Sequence, residues 1–313
     1  MIRAVCLNPV VDRLYYIDDF SAGTQYKEIK PDIYAGGKGV NIARVVSQLG
    51  EKCELYAFLG GSAGRVIESD MEKHGVTIHP FRHEGETRTT VNIIDNRQRL
   101  ETEITEPGVT VGKALVDSFF EELASDLSPD DIVVCSGIPL KGMDVGIYKE
   151  ISNLCADKKA SCFLDVNSIY LKAAFPARYS FFKPNINELQ ALFDDNKSPA
   201  DVLMRKAVSF GAVFVMVSTG KDGCLFMSDD EYFSVSVPDE KVVSTIGSGD
   251  SSVAGFAVAK ARGLDNQEAA RLAMAAGVSN ATHREVGFID RSQVEDLFKH
   301  IAILNQEHNQ QGT

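Results

Sequence analysis

The chain has 313 residues, 44% hydrophobic and 24% charged, with a net charge of −12. That length allows a substantial core in one large or two smaller domains. Acidity without a basic run excludes a nucleic-acid surface, because phosphate backbones need clustered Lys and Arg, and no run of about 18 apolar residues suggests a membrane span.

The first ten residues, MIRAVCLNPV, have too short an apolar part and no small-residue cleavage pattern for a secretion signal, so they read as a first strand and the expected location is cytoplasmic. The six cysteines, scattered without a CxxC pair, are expected to be reduced and buried, and the six histidines show no metal-ligand spacing, so no zinc site is expected. Just past the first strand, LNPVVDR places Asn8 and Asp12 where α/β sheets bind ligands. Asp12 could hold sugar hydroxyls, or serve only as a turn or cap residue.

Strand-length apolar runs then alternate with segments of helical period: VNIARVVSQLG, CELYAFLG, GRVIESDMEKHG, VTIHPF, and later DIVVCSG, SCFLDVN, INELQALF and AVFVMVSTG. This rhythm predicts a doubly wound α/β domain, with a mainly parallel sheet flanked by helices, spanning 1–313 as one unit. Gly50, Gly75 and Gly263 stand where helix C-caps are expected. Residues 13–34 and 86–106 break the rhythm with strand alternation and turn signals such as Asp95-Asn96. They are expected to form a small β lid over the ligand crevice, the alternative being edge strands of the main sheet. The polar tail NQEHNQQGT is expected to fray.

Walker A and GxGxxG patterns are absent. Two other glycine clusters each feed a helix: AGGKGVNIARVVSQLG at 35–50 and TIGSGDSSVAGF at 245–256. In the first, Gly36 and Gly37 permit a close or left-handed backbone, Lys38 supplies a cation, and Asn41 supplies both donor and acceptor. A tight turn with a solvated lysine is the alternative. In the second, the amides of Gly247, Ser248 and Gly249 could line an anion nest, while Asp250 could be a helix N-cap or take a proton from an attacking hydroxyl.

These clusters and their order resemble the signatures of the PfkB (ribokinase-like) carbohydrate kinases. GGKGVNIARVVSQLG looks like the N-terminal signature and STIGSGDSSVAGFAVA like the C-terminal one, while KPNINEL at 183–189 matches the segment bearing Asn-x-x-Glu and STGKDG at 218–223 the nucleotide-binding turn. The resemblance implies that Asp250 is the catalytic base and that Gly247, Ser248 and Gly249 form the anion hole. It implies an acceptor site of Asp12, Gly37, Lys38 and Asn41, with Arg88 of ETRTTVN reaching from the lid toward the sugar's existing phosphate. ATP would contact Ser218, Gly220, Gly223 and Gly249, and Asn185 with Glu188 would organise Mg²⁺ and its waters, acting through the outer shell. By residues alone, Arg88 could be an exposed strand arginine, and Asn185 and Glu188 read simply as the start of the INELQALF helix. One departure is SGIPLKG at 136–142, where Ile138 replaces a serine of the usual Ser-Gly-Ser-Leu-Pro-like segment and removes one donor that Lys141 could replace.

LNPVVDR and AGGKGVN look most like the branch containing 1-phosphofructokinase and tagatose-6-phosphate kinase. That branch implies ATP-dependent phosphorylation of fructose 1-phosphate at its 6-hydroxyl, with tagatose 6-phosphate as the alternative acceptor. A catalytically silent sugar-phosphate sensor is the alternative from another class. A homodimer through the lid strands and a monovalent-cation requirement are left open by the sequence.

Overall fold

The computed structural model describes residues 1–305, so residues 306–313 of the polar tail lie outside the described residues. The elements run, in chain order, β1 (Ile2–Cys6), β2 (Val10–Tyr16), β3 (Asp32–Gly36), α1 (Lys38–Gln48), β4 (Cys53–Leu59), α2 (Gly61–Lys73), β5 (Thr77–Arg82), β6 (Thr89–Asp95), β7 (Leu100–Thr105), α3 (Lys113–Asp126), β8 (Ile132–Ser136), α4 (Ile147–Lys158) and β9 (Ser161–Asp165). They continue with α5 (Ser168–Ala174), β10 (Phe181–Phe182), α6 (Ile186–Phe193), α7 (Ala200–Ser209), β11 (Val215–Ser218), a 3₁₀ turn (Gly220–Asp222), β12 (Cys224–Met227), β13 (Tyr232–Ser236), α8 (Ser248–Ala261), α9 (Asn266–Ala281), α10 (Arg291–His300) and β14 (Ala302–Asn305).

Ten strands form the main sheet in the order β14-β13-β12-β11-β10-β9-β8-β1-β4-β5. The seven from β11 to β5 are parallel, and β12, β13 and β14 extend the sheet antiparallel. The apolar runs that read as doubly covered strands are so: Ala4, Leu55, Ala57 and Val134 pack into one core with α1, α8 and α9, while Val5, Tyr56, Phe58 and Val133 pack into the other with α3, α4 and α7. Strand periodicity of two assigns each residue to its layer. Phe181 of β10 stacks on Phe256 of α8 at 3.9 Å between ring centroids, fixing the helix whose first turn carries Asp250. Gly50, Gly75 and Gly263 follow the C-caps of α1, α2 and α8 with φ of 88°, 69° and 72°, as a left-handed helix stop requires.

The two rhythm-breaking segments leave the main sheet and build a separate four-stranded sheet, β3-β2-β6-β7, so the edge-strand alternative falls. Its central pair, β2 and β6, is parallel, and each outer strand is antiparallel to its neighbour. The strands begin earlier and end later than expected at one end: β2 starts at Val10 and β3 reaches Gly36, directly before α1. The Asp95 carboxylate makes the β6–β7 turn by accepting from the amides of Arg97 and Gln98 at 3.0 and 2.9 Å. All six cysteines are free and buried. No helix of the described residues is long and apolar enough to cross a membrane.

Candidate active site

The C-terminal ends of the parallel strands, the first turns of α1 and α8, and the inner face of the small sheet enclose a cavity of about 530 Å³. Gly37 is the N-cap of α1 with φ of 100°, a backbone that favours glycine, and it delivers Lys38 and Asn41 into the cavity. Lys38 Nζ binds Asp165 Oδ1 at 3.1 Å, so it is paired across the cavity floor, not simply solvated. Burial works against the Lys38 charge, but Asp165 and Asp250 outweigh it and raise its pKa. Asp165 is buried, which favours its neutral form; Lys38 and Lys183 overcome that and hold its pKa below the ordinary value.

Asp12 enters from β2, opposite Tyr34 of β3 and Thr90 of β6. Gly36 makes room for it, since a Cβ there would collide with the Asp12 carboxylate. Burial pushes the Asp12 pKa to about 6, with Arg88 pulling it down and Glu103 adding to the rise. Arg88 precedes β6 half-buried, donates from Nη2 to the Asn8 carbonyl at 3.4 Å, and has no partner for its buried Nε among the described residues. It lines the cavity, unlike an exposed strand arginine.

Helix α8 begins with Gly247 as N-cap in the left-handed region, φ 81°. Asp250 is therefore the third helical residue and not the N-cap, and its side chain turns inward, 7% exposed. Its Oδ2 accepts a 2.8 Å hydrogen bond from Asn41 Nδ2. Burial raises the Asp250 pKa to about 6, reinforced by Asp165 and opposed by Lys38, Asn41 and Lys183. Of the three amides expected to receive an anion, that of Ser248 instead donates to the Thr245 carbonyl at 3.2 Å. The Gly249 amide remains in the first turn, where the helix itself offers no acceptor, and the Lys183 ammonium lies beside it, 3.3 Å from where a Cβ on Gly249 would stand.

A second cavity of about 420 Å³ adjoins the first and shares Lys183, Ser218 and Gly249 with it. Ser218 ends β11, and Gly220 and Gly223 bracket the 3₁₀ turn; all three line this second space. Gly223 has φ of 100° and packs so closely on the Val235 carbonyl that a side chain there would overlap it. The rest of the lining is an apolar slot including Val237, Val242, Met274, Val278 and Ala281, which no sequence motif pointed to.

Asn185 and Glu188 line the first cavity and form a reciprocal capping box at the start of α6: Asn185 Oδ1 accepts from the Glu188 amide at 2.9 Å, and Glu188 Oε2 from the Asn185 amide at 2.8 Å. The helix-start role is thus real, and the cap uses only one Glu188 oxygen. Ile138 is 47% exposed and Lys141 is exposed, and neither belongs to the lining of either cavity. Sequence reasoning missed Asp165 and Lys183, although each ends a strand-like run, in SCFLD and in FFK.

One grouping lies elsewhere. His79 Nδ1, a Glu122 oxygen and an Asp126 oxygen sit within 4.8 Å of one another, which histidine spacing could not reveal. These groups are already matched: His79 pairs with Glu122 at 2.6 Å, and Asp126 accepts from the Tyr56 hydroxyl at 2.6 Å.

A family model described as pfkB family carbohydrate kinase matches residues 5–291. The chain belongs to the pfkB family of carbohydrate kinases. Among its pfkB relatives, the tagatose-6-phosphate kinase of Staphylococcus epidermidis is 32% identical over 311 residues, covering 97% of this chain and 99% of the relative. The 1-phosphofructokinase of Bacillus subtilis is 30% identical over 290 residues, covering 92% and 94%. Phosphofructokinase-2 from Escherichia coli, solved in complex with potassium, shares the fold with a TM-score of 0.87 at 22% identity, covering 96% of this chain and 98% of that one. As a pfkB carbohydrate kinase, this chain is a phosphotransferase acting on a hydroxyl group.

Proposed function

We propose that the chain transfers the γ-phosphoryl group of ATP to a ketohexose monophosphate, with fructose 1-phosphate accepting at its 6-hydroxyl. The observation that carries this reading is the buried Asp250, which lines the larger cavity next in sequence to Gly249, one of the three residues, with Ser218 and Lys183, that this cavity shares with the second. The apolar slot with Ser218, Gly220 and Gly223 suits a nucleotide base and ribose, and the larger, more polar cavity suits a sugar phosphate. Asp12 and Asn41 would bind sugar hydroxyls beside Gly37, while Lys38 and Arg88 supply cations for phosphate.

In the reaction, the acceptor oxygen bonds to the γ-phosphorus as the bond to the ADP oxygen breaks. Asp250 takes the hydroxyl proton, and the Gly247–Gly249 turn with Lys183 stabilises charge on the transferring group. Lid strands over the acceptor exclude water that would otherwise hydrolyse ATP. Asn185 and Glu188 fit a hydrated divalent cation, because the capping box leaves a Glu188 oxygen uncommitted toward the cavity and Mg²⁺ retains much of its water shell. Mg²⁺ bound there with ATP would neutralise phosphate charge.

Tagatose 6-phosphate, phosphorylated at its 1-hydroxyl, is the second reading, favoured by the 32% identical relative of that name. ADP release measured over fructose 1-phosphate, tagatose 6-phosphate, fructose 6-phosphate and unphosphorylated fructose, ribose and adenosine tests both. A preference for an unphosphorylated acceptor would overturn the substrate class, and absence of ATP turnover would favour a sensor. Running the panel in potassium and in tetramethylammonium chloride tests a monovalent-cation requirement. The open edges β3 and β7, with Leu100 60% and Ile104 58% exposed, support a homodimer through the lids, which light scattering checks.

A further inference from the structure

Asn41 lies between two groups of fixed and opposite hydrogen-bonding character. Its Nδ2 donates to Asp250 Oδ2 at 2.8 Å, and its Oδ1 accepts from Arg44 Nη1 at 3.3 Å. An ionised carboxylate only accepts and a guanidinium only donates, so a single amide orientation satisfies both. Arg44, one turn further along α1 and 6% exposed, is itself pinned: Nη1 also donates to the Val286 carbonyl at 3.1 Å, and Nη2 to the Ala35 carbonyl at 2.5 Å and to Asp70 Oδ2 at 2.8 Å. Gly287 closes the packing, since a Cβ there would come within 3.0 Å of Asn41 Oδ1.

We propose that Arg44 is a positioning residue for phosphoryl transfer: by occupying Asn41 Oδ1 it keeps the amide nitrogen turned toward Asp250, so that one carboxylate oxygen is held by an N–H and the other faces the acceptor hydroxyl. This inference rests on the reading of Asp250 as the base. Without the guanidinium, the amide can turn its oxygen toward the carboxylate, and two acceptors face to face favour a protonated Asp250. The other charged groups acting on Asp250 are Lys38 from α1, Asp165 from the end of β9 and Lys183 from the segment after β10. None of them hydrogen-bonds to Arg44 among the described residues, so their influence persists when Arg44 is changed.

The test compares the pH profiles of kcat for Arg44→Met, Arg44→Lys, Asp70→Asn and Asp250→Asn in the full chain, with ATP and the preferred sugar phosphate. Arg44→Met should lower kcat roughly tenfold with a smaller change in acceptor KM, as loss of a hydrogen bond to a charged group implies. Its acid limb should move up by about half to one pH unit. Asp70→Asn, which removes the negative charge paired with Arg44 and leaves Asn41 alone, should lower the melting temperature without moving the limb. In an Asn41→Ala background, Arg44→Met should leave the limb where Asn41→Ala puts it. An unmoved limb in Arg44→Met, with Asp250→Asn inactive, overturns the inference and leaves the base reading standing. If Arg44→Met does not fold, Arg44→Lys carries the test, because one ammonium cannot replace both arms of the guanidinium and the limb must still rise; an unmoved limb there overturns the inference equally. Near-normal turnover of Asp250→Asn would overturn the base reading itself.

Discussion

Replacing Asp250 with Asn should separate activity from stability in opposite directions. The amide keeps the size of the side chain and an oxygen that can accept from Asn41 Nδ2, but it cannot take a proton. Loss of a positioned general base lowers kcat by about 10²-fold to 10⁴-fold. The same carboxylate is costly to the fold. Burial raises its pKa from the ordinary 3.8 to about 6, so the native state binds the proton more tightly than the unfolded state. Stability attributable to this group is therefore full below about pH 4 and is lost as pH rises through about 6, and by linkage the deficit above that range is about 3 kcal/mol. Asp250→Asn removes the deficit, so at pH 8 it should unfold at a higher temperature than the parent. By the same linkage about half of that difference should remain at pH 5. Coupled ADP release at saturating ATP and fructose 1-phosphate gives the kinetic half, and urea melts at pH 5 and pH 8 give the other. Near-normal turnover would refute the base assignment, and a variant less stable than the parent at pH 8 would refute the account of how burial sets this pKa.

Further outcomes follow from the same geometry. Asp12 and Asp250 both sit near pH 6 because they are buried, so log kcat/KM for the acceptor should fall below that pH with a slope approaching two, while log kcat falls with a slope near one. A slope of one in both would remove Asp12 from acceptor binding. Lys38→Met leaves Asp165 without its 3.1 Å partner and takes a cation from the cavity, so KM for the sugar phosphate should rise about tenfold and the melting temperature should fall. Gly36→Ala would push the Asp12 carboxylate aside, whereas Gly223→Ala strains the turn beside Val235; the first should raise KM for the acceptor alone and the second KM for ATP alone. Steady-state kinetics with each substrate varied in turn checks both, and a shared effect on both constants would contradict the two-cavity reading.

The parts of this molecule legible in its sequence are those written in short-range patterns. Continuous apolar runs such as DIVVCSG announced doubly covered strands because a parallel sheet buries both faces. Glycine clusters announced the starts of α1 and α8 because Gly37 and Gly247 must take φ values that other residues avoid. Alternation marked the lid segments, but which strands pair was not readable: the parallel joining of β2 to β6 links residues about 80 positions apart. Asp165 and Lys183 were missed for the same reason. A single charged residue ending an apolar run has no local signature, and its meaning comes only from Lys38, 127 residues from Asp165. The apolar slot of the second cavity was also silent, because Val237, Met274 and Val278 read as ordinary core residues until the sheet edge brings them around one space.

The first turn of α8 carries a carboxylate at a helix start that favours negative charge. A helix N-terminus favours negative charge, and Asp250 at its third position already occupies that favourable field. Burial nevertheless raises its pKa, so dipole, Asn41 and two lysines together compensate only part of the desolvation. A carboxylate left in this state is ionised at neutral pH yet retains appreciable proton affinity, which is the combination a general base requires. Had Lys38 and Lys183 been able to neutralise Asp250 fully, its pKa would lie near that of Asp165 and it would take up a proton poorly. Because Lys38 bonds to Asp165 instead, the cavity holds one carboxylate whose pKa is lowered and one whose pKa is raised, and on the proposed reading of Asp250 as the base the pairing of the first leaves the second able to accept a proton.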